Sequence, residues 1–261
     1  INLFSALSSN NGDWGTSFGF LQPNSVPQFM ASTITNIEST ASVPDFFRDG
    51  VRFPQTSENT APAGTYQQPT NTHMLIGNSL NTTFTFDGVI DAVRFASTSR
   101  SAAWLEAEHI NQAEPTTFYT INGPASAAEW NNIDWTLFDT ITIDAANIDA
   151  TLTDFPVYVD LSDLSSRFWD TTPASAALVG TDIRVTTDDG TPVELARELV
   201  FASSTAQTGE LHFIADSISA TTDTTFRIYY NGTTTGDYAV DALYGAQNVW
   251  TNDYLAVWHM Q

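Results

Sequence analysis

Apolar and polar residues alternate along most of this chain. Ile141 and Ile143 fall on one side of a run whose other side carries Thr140, Thr142 and Asp144. Phe155, Val157, Val159 and Leu161 alternate with Pro156, Tyr158 and Asp160, and Phe226, Ile228 and Tyr230 alternate with Arg227 and Tyr229. Shorter alternations occupy Phe84-Thr85-Phe86 and Ile90 to Phe95. A period of two built from β-branched and aromatic residues is the pattern of a strand with one face in a core. The pairs Asp49-Gly50, Asp87-Gly88, Asp188-Asp189-Gly190, Asn231-Gly232 and Gly236-Asp237 break these runs where the chain is expected to turn. Two stretches read as helix. Ala102 to Ile110 can be capped by Ser99 or Ser101 and carries Glu106 and Glu108, and a short piece is expected at Pro124 to Glu129.

Many short strands with few helices predict an all-β protein of stacked sheets. Its length favours two domains over one. Ala113-Glu114-Pro115 and Asn122-Gly123-Pro124 mark the boundary. The expected organisation is a first domain over 1–114, a linker over 115–128, a second domain over 129–246 and a C-terminal aromatic strand over 247–261. The predicted fold is thus two β-sandwich, jelly-roll-like domains plus a strand that completes a jelly roll in the same or a neighbouring chain.

Composition narrows the functions. The 261 residues carry a formal net charge of -22, from 30 acidic residues against 8 basic ones, all Arg; Lys and Cys are absent. Eight scattered Arg in such a field make no phosphate-binding surface, so nucleic acid is not an expected partner. Disulfides and thiolate metal sites are impossible. No apolar run approaches the ~18 residues of a membrane helix, so no membrane insertion is expected. Ile1-Asn2-Leu3-Phe4 has no basic, apolar leader pattern, and none is expected there. Spread over the roughly 11,000 Å² of a compact protein of this mass, the charge lies at a spacing near ~22 Å, beyond the ~8 Å Debye length of physiological salt. The balance suits an extracellular or cell-surface protein in a saline medium and predicts a lower melting temperature at very low ionic strength.

Two segments resemble known families. Met74-Leu75-Ile76-Gly77, Phe86-Asp87-Gly88-Val89-Ile90-Asp91-Ala92-Val93-Arg94-Phe95, and Ser99 with Trp104 and Leu105 look like the C-terminal end of a laminin-G-like, or concanavalin-A-like, jelly roll with its closing helix. Phe47-Arg48-Asp49-Gly50 is similar to the strand end and turn before that motif, whereas Ala92 stands where the family commonly has a second acid. From about 130 to 258 the chain resembles the bacterial domain of unknown function DUF2341. The match runs through Phe155-Pro156-Val157, Gly180-Thr181-Asp182-Ile183-Arg184-Val185, Asp188-Asp189-Gly190, Glu194-Leu195, Glu198-Leu199, Phe226 to Gly232 and Ala256 to Met260. The resemblance implies large multi-domain surface proteins of bacteria, in which this domain sits beside laminin-G-like jelly rolls, and some of whose members resemble proton-channel components.

In this order the matches suggest the end of one jelly roll, one whole second domain and the first strand of a third element, as in a fragment or repeat of a long surface protein. Trp250, Tyr254, Leu255, Val257, Trp258 and Met260 form the expected assembly strand. It either completes the open sheet of a neighbouring copy, as a donated strand does, or closes the jelly roll of its own chain.

Catalytic signatures are poor. His73, His109, His212 and His259 fall in no metalloprotease helix pattern, and no Ser elbow is present. Glu106 and Glu108 have the sequence spacing of a glycosidase pair but diverge on a helix. The Asp-rich turns are candidate calcium sites, namely Asp182, Asp188 with Asp189, Asp160 with Asp163, Asp144 with Asp149, and Asp87 with Asp91; Asp also caps such turns without a metal. Trp14, Trp130, Trp135 and Trp169 are candidate platforms for sugar rings. The sequons Asn81-Thr82-Thr83 and Asn231-Gly232-Thr233 are formally present. Without Lys or Cys, copies can be joined only by strand pairing, apolar contact or cation bridges. The expectation is a non-enzymatic extracellular structural or adhesive module that self-associates non-covalently, with a carbohydrate-binding module second and a glycoside hydrolase third.

Overall fold

The structure, a computed structural model, describes residues 2–5, 12–16, 27–35, 43–53, 55–60, 88–126, 135–171, 180–232 and 236–260. The chain divides into two units, one of Ile1–Ala102 with Tyr254–Gln261 and the other of Ala103–Asp253. The second is therefore an insertion in the first. This differs from the expected division at 114 and 129.

In the first unit, β1 (Asn2–Ser5), β2 (Gly12–Thr16) and β6 (Gln55–Thr60) form one antiparallel sheet in the order β1-β2-β6, and β3 (Met30–Thr33), β4 (Asp45–Arg48) and β5 (Val51–Phe53) form another in chain order. Strand β4 puts Phe46 and Phe47, adjacent in sequence, both in the interior, so it is covered on each face. Ile34 and Phe53 pack on Phe46, and Arg48 lies 4.8 Å from the Phe53 ring centre. Between β4 and β5, Asp49 and Gly50 both take positive φ, 51° and 73°, the geometry of a two-residue hairpin turn. The Asp49 carboxylate also accepts the Phe29 N–H at 3.1 Å. Strand β7 (Ala92–Ala96) ends this part of the unit.

The inserted unit starts with α1 (Ala102–Ala113) and α2 (Pro115–Phe118). Its strands are β8 (Tyr119–Ser126), β9 (Trp135–Ile143), β10 (Leu152–Asp160), β11 (Arg184–Thr187), β12 (Glu194–Leu195), β13 (Arg197–Ser203), β14 (Thr208–Ile218) and β15 (Thr224–Gly232), with α3 (Ser166–Thr171) between β10 and β11. They build a five-stranded sheet, β12-β11-β15-β9-β8, and a three-stranded sheet, β10-β14-β13. Only Ala196 separates β12 from β13, so one run of chain turns the corner from sheet to sheet; there the Ala196 carbonyl accepts the Ile214 N–H and Arg197 donates its N–H to the Tyr244 carbonyl. The sheets meet through Phe213 and Phe226, edge to face with centres 4.9 Å apart. The alternation read from sequence fills the space between: Phe155, Val157, Val159, Leu211, Ile141, Ile143 and Ile228 are each 0% exposed. Each such side chain contributes about 1.5–3 kcal/mol by leaving water. The all-β sandwich expected from sequence is what the chain forms.

Several elements differ from expectation. The stretch read as a linker is α2 and β8, and Pro124 to Ser126, read as helix, lies in β8. The helix taken to close the jelly roll turns its indole to the inserted unit, with Trp104 4.8 Å from Phe155 and Phe118 6.2 Å from the same ring. Asn231-Gly232 ends a strand rather than turning a hairpin. The C-terminal stretch is not one strand. Ala246–Trp250 is a 3-10 turn of the inserted unit, with Val249 packed on Ala196 and Ile214. The chain then returns to the first unit as β16 (Tyr254–His259), antiparallel to β7, with Val257 opposite Arg94 and Trp258 opposite Val93. The strand is thus paired within its own chain.

Candidate functional site

In the first unit β7 and β16 carry an exposed apolar strip. Phe95 and Trp258 meet edge to face at 5.9 Å and are 38% and 41% exposed. A register shift between Tyr254 and Ala256 leaves Leu255 outside the pairing pattern, 72% exposed, and Met260 follows at the strand end. Val257 is half-buried, and Tyr254 packs under the Arg100 guanidinium at 4.7 Å. Of the six residues expected in one assembly strand, five lie on or beside β16. Trp250 instead belongs to the inserted unit, where its indole N–H donates to Glu198 at 2.6 Å.

The inserted unit holds two buried guanidinium groups. Arg197, on β13, donates Nε–H to the Ile183 carbonyl at 2.7 Å and Nη2–H to the Thr181 carbonyl at 3.1 Å, and Nη2 pairs with Asp237 at 2.9 Å. Arg184, on β11, donates to the Thr181, Ile183 and Gly236 carbonyls and lies between the Trp135 and Tyr238 rings, 5.0 and 4.4 Å from their centres. Glu194 faces Arg184 at 3.6 Å and accepts the Tyr238 phenol at 2.8 Å. Burial lowers the Arg197 pKa and raises those of Glu194 and Asp182. These charges join the 180–184 turn, β13 and the 236–244 segment. They work on the unit's own backbone.

Asp139 is enclosed in the same way. Its carboxylate accepts the Ser165 N–H at 2.7 Å, the Ser165 hydroxyl at 3.0 Å and the Tyr230 phenol at 2.8 Å, which fixes the start of α3 on β9. Burial raises the Tyr230 pKa, so it remains the donor.

A cavity of about 290 Å³ opens where α2 runs into β8, lined by Thr116, Tyr119, Thr120, Ile121 and Asp163. Tyr119 donates its phenol to Asp163 Oδ2 at 3.1 Å and accepts the Asp160 N–H at 3.0 Å. Burial pushes the Tyr119 pKa far up, and burial is also the main cause of a raised Asp163 pKa. Pro115 at a helix start and the alternation of Tyr119 and Ile121 are local signals of α2 and β8, whereas the cavity forms only where Asp163 packs against them.

The remaining candidates separate. Asp87, Trp130, His73 and Asn81 lie outside the described residues, as does the side chain of Trp14. Asp91 is exposed, its carbonyl accepts the Met260 N–H, and among the described residues it joins no group of three His, Asp or Glu close enough to share an ion. Of the other Asp-rich turns, Asp144 and Asp160 cap 3-10 turns by accepting the Ala146 and Ser162 N–H groups, and Asp188 pairs with Arg227. Trp135 and Trp169 are buried; Trp135 donates to the Asp182 carbonyl and Trp169 stands edge-on to Phe168. They offer no sugar platform. His212 is buried between the Tyr158 and Trp250 rings and bonded to Glu210 at 2.8 Å. Burial, and after it the neighbouring Asp149 carboxylate, raises the Glu106 pKa, while Glu108 is buried. Asn231 donates its amide to Thr136 at 2.7 Å. Comparisons with protein families, curated proteins and solved structures find no match for the chain.

Proposed function

We propose that the chain is a non-enzymatic, extracellular structural and adhesive module of a bacterial surface protein, and that its copies associate non-covalently. The observation that carries this reading is the strip of Phe95, Leu255, Trp258 and Met260 on β7 and β16. Clustered large apolar groups left in water mark a contact surface, and an extended pair of strands offers a self-complementary one to a second copy. Because β16 is already paired with β7, the association proposed is face to face through these side chains, and donation of the strand is not part of it. The laminin-G-like and DUF2341 resemblances and the acidic, Lys-free, Cys-free composition agree with it. So does the use of buried charge: Arg184, Arg197 and Asp139 hold the fold together.

Sedimentation velocity of the chain and of a Leu255→Ser/Trp258→Ser double variant, at physiological salt, tests the reading. The wild type is expected to gain mass with concentration while the variant stays a monomer. A wild type that remains monomeric throughout, or that cleaves polysaccharide, overturns it.

A further inference from the structure

The cavity at the start of β8 belongs to the inserted unit and has its own chemistry. Among the described residues its one charged group is Asp163. The buried Tyr119 phenol holds Oδ2, and Oδ1 has no protein partner among the described residues. Thr116 and Thr120 are exposed at the rim, each with a hydroxyl that can donate or accept, and Ile121 gives a short apolar wall. Among the described residues no Arg lines the cavity, and the chain has no Lys. A carboxylate oxygen with no cation beside it repels anions and accepts from hydroxyl groups. The volume of about 290 Å³ lies just below the range of ligand sites, about 300–1,000 Å³, room for one ring rather than a long ligand.

From this arrangement we infer that the inserted unit carries a subsite for a single sugar ring of a glycan, with Asp163 Oδ1 accepting two neighbouring sugar hydroxyls and Thr116 and Thr120 bonding those at the rim. Tyr119 is a positioning residue: its phenol is bonded to Asp163 and to the Asp160 backbone, so the carboxylate is oriented before the ligand arrives. The subsite rests on the adhesive side of the function proposed above and gives it a ligand class. Its failure leaves self-association through β7 and β16 untouched, since none of its residues lies on those strands.

The test is amide NMR of the full chain with a panel of neutral monosaccharides at up to ~10 mM, ten times the ~1 mM dissociation constant of a weak single contact. At least one sugar is expected to shift the Thr116, Thr120 and Ile121 amides. Two variants keep the result decisive. Thr120→Trp places a large side chain over the mouth from an exposed position and should abolish the shifts. Asp163→Asn removes the charge while keeping a carbonyl for Tyr119, and should weaken binding at least tenfold. Binding should also weaken in acid, as Asp163 becomes protonated. Absence of shifts with every sugar, shifts that survive Thr120→Trp, or a response to methylammonium or calcium with none to sugars each overturns the proposal.

Discussion

Asn111 pairs with Tyr158 as a neighbouring strand would. Its side-chain amide donates Nδ2–H to the Tyr158 carbonyl at 2.9 Å, and its Oδ1 accepts the Tyr158 N–H at 2.7 Å. Strand β10 is the edge of the three-stranded sheet, and the 1%-exposed Asn111 carries that ladder onto helix α1. Asn111→Leu removes both bonds and leaves two peptide groups facing a hydrocarbon, at about 1–3 kcal/mol for each unsatisfied group. The expected result is a melting temperature lower by roughly 5–15 °C for a domain of this size. Amide hydrogen exchange should show faster opening at Tyr158 than on β14. An unchanged melting temperature would mean that water serves the edge equally well.

Arg197 is the second point at which one side chain holds separate segments. It is 1% exposed, and its partners lie on the 180–184 turn and at Asp237. Removing one member of a buried ion pair costs about 3–5 kcal/mol when the other is left in the interior. Here the asymmetry decides the order of effects. Asp237 is 45% exposed, so after Arg197→Ala its carboxylate is solvated and the loss comes from the Ile183 and Thr181 carbonyls. After Asp237→Asn the guanidinium stays buried but keeps its two carbonyl bonds and an amide oxygen. Arg197→Ala is therefore expected to cost several-fold more stability than Asp237→Asn in urea unfolding. Arg197→Lys should fall near the alanine variant, because one ammonium cannot reproduce the planar fork. Equal losses for Arg197→Ala and Asp237→Asn would sink this account.

Gly232 closes β15 opposite Trp135, and a Cβ there would lie 2.6 Å from the indole nitrogen. That nitrogen donates to the Asp182 carbonyl at 2.6 Å, and the Gly232 N–H bonds the Asp182 carboxylate at 3.1 Å. Gly232→Ala must displace Trp135 from both its bond and its stacking on Arg184. The expected cost is about 1–3 kcal/mol of overpacking, with a red shift in Trp emission as the indole meets water. Gly190, with nothing near its Cβ position but a φ of 91°, is the control: Gly190→Ala should destabilise through its backbone alone and leave Trp emission in place.

What could be read from the sequence follows from how local the determinant is. The alternation at 141–143, 155–159 and 226–230 predicts strands and their buried faces because a period of two is fixed within a few residues. Asp49-Gly50 predicts its hairpin for the same reason. Tyr229 shows the limit. Its alternation puts it on the outer face of β15, yet it is 0% exposed, since Phe138 covers it from β9. Such cover comes from remote chain, as does the destination of Trp104, which the sequence alone cannot assign to either unit. The insertion itself was hidden because β7 and β16 are more than 150 residues apart in sequence, although each was visible as an apolar strand. For the candidate sites, the aromatics of β16 were legible as an exposed-or-paired strand. The cavity was not, because Asp163 meets Tyr119 only through the packing of two distant segments.

Acid should stabilise this protein over a defined window. Glu106, Asp163, Asp182, Glu194 and Asp216 all have raised pKa values, with burial the largest cause in each. Asp149 adds like charge at Glu106, as Asp154 and Asp189 do at Asp216. A carboxyl whose folded pKa exceeds its unfolded value binds protons more tightly when folded. Its contribution is complete below the unfolded pKa, roughly 4, and is lost as pH rises through the folded value. All five act in the same direction, so the melting temperature is expected to climb as pH falls from 7 towards about 5, where the net charge of -22 is also reduced. Glu106→Gln keeps a hydrogen-bonding group beside Asp149 and removes the repulsion, so it should gain stability at pH 7 and show a shallower slope than the wild type. Scanning calorimetry of both proteins across this range is the check. A wild-type melting temperature that is flat or falls between pH 7 and 5 would show that burial does not disfavour these carboxylates in the folded chain.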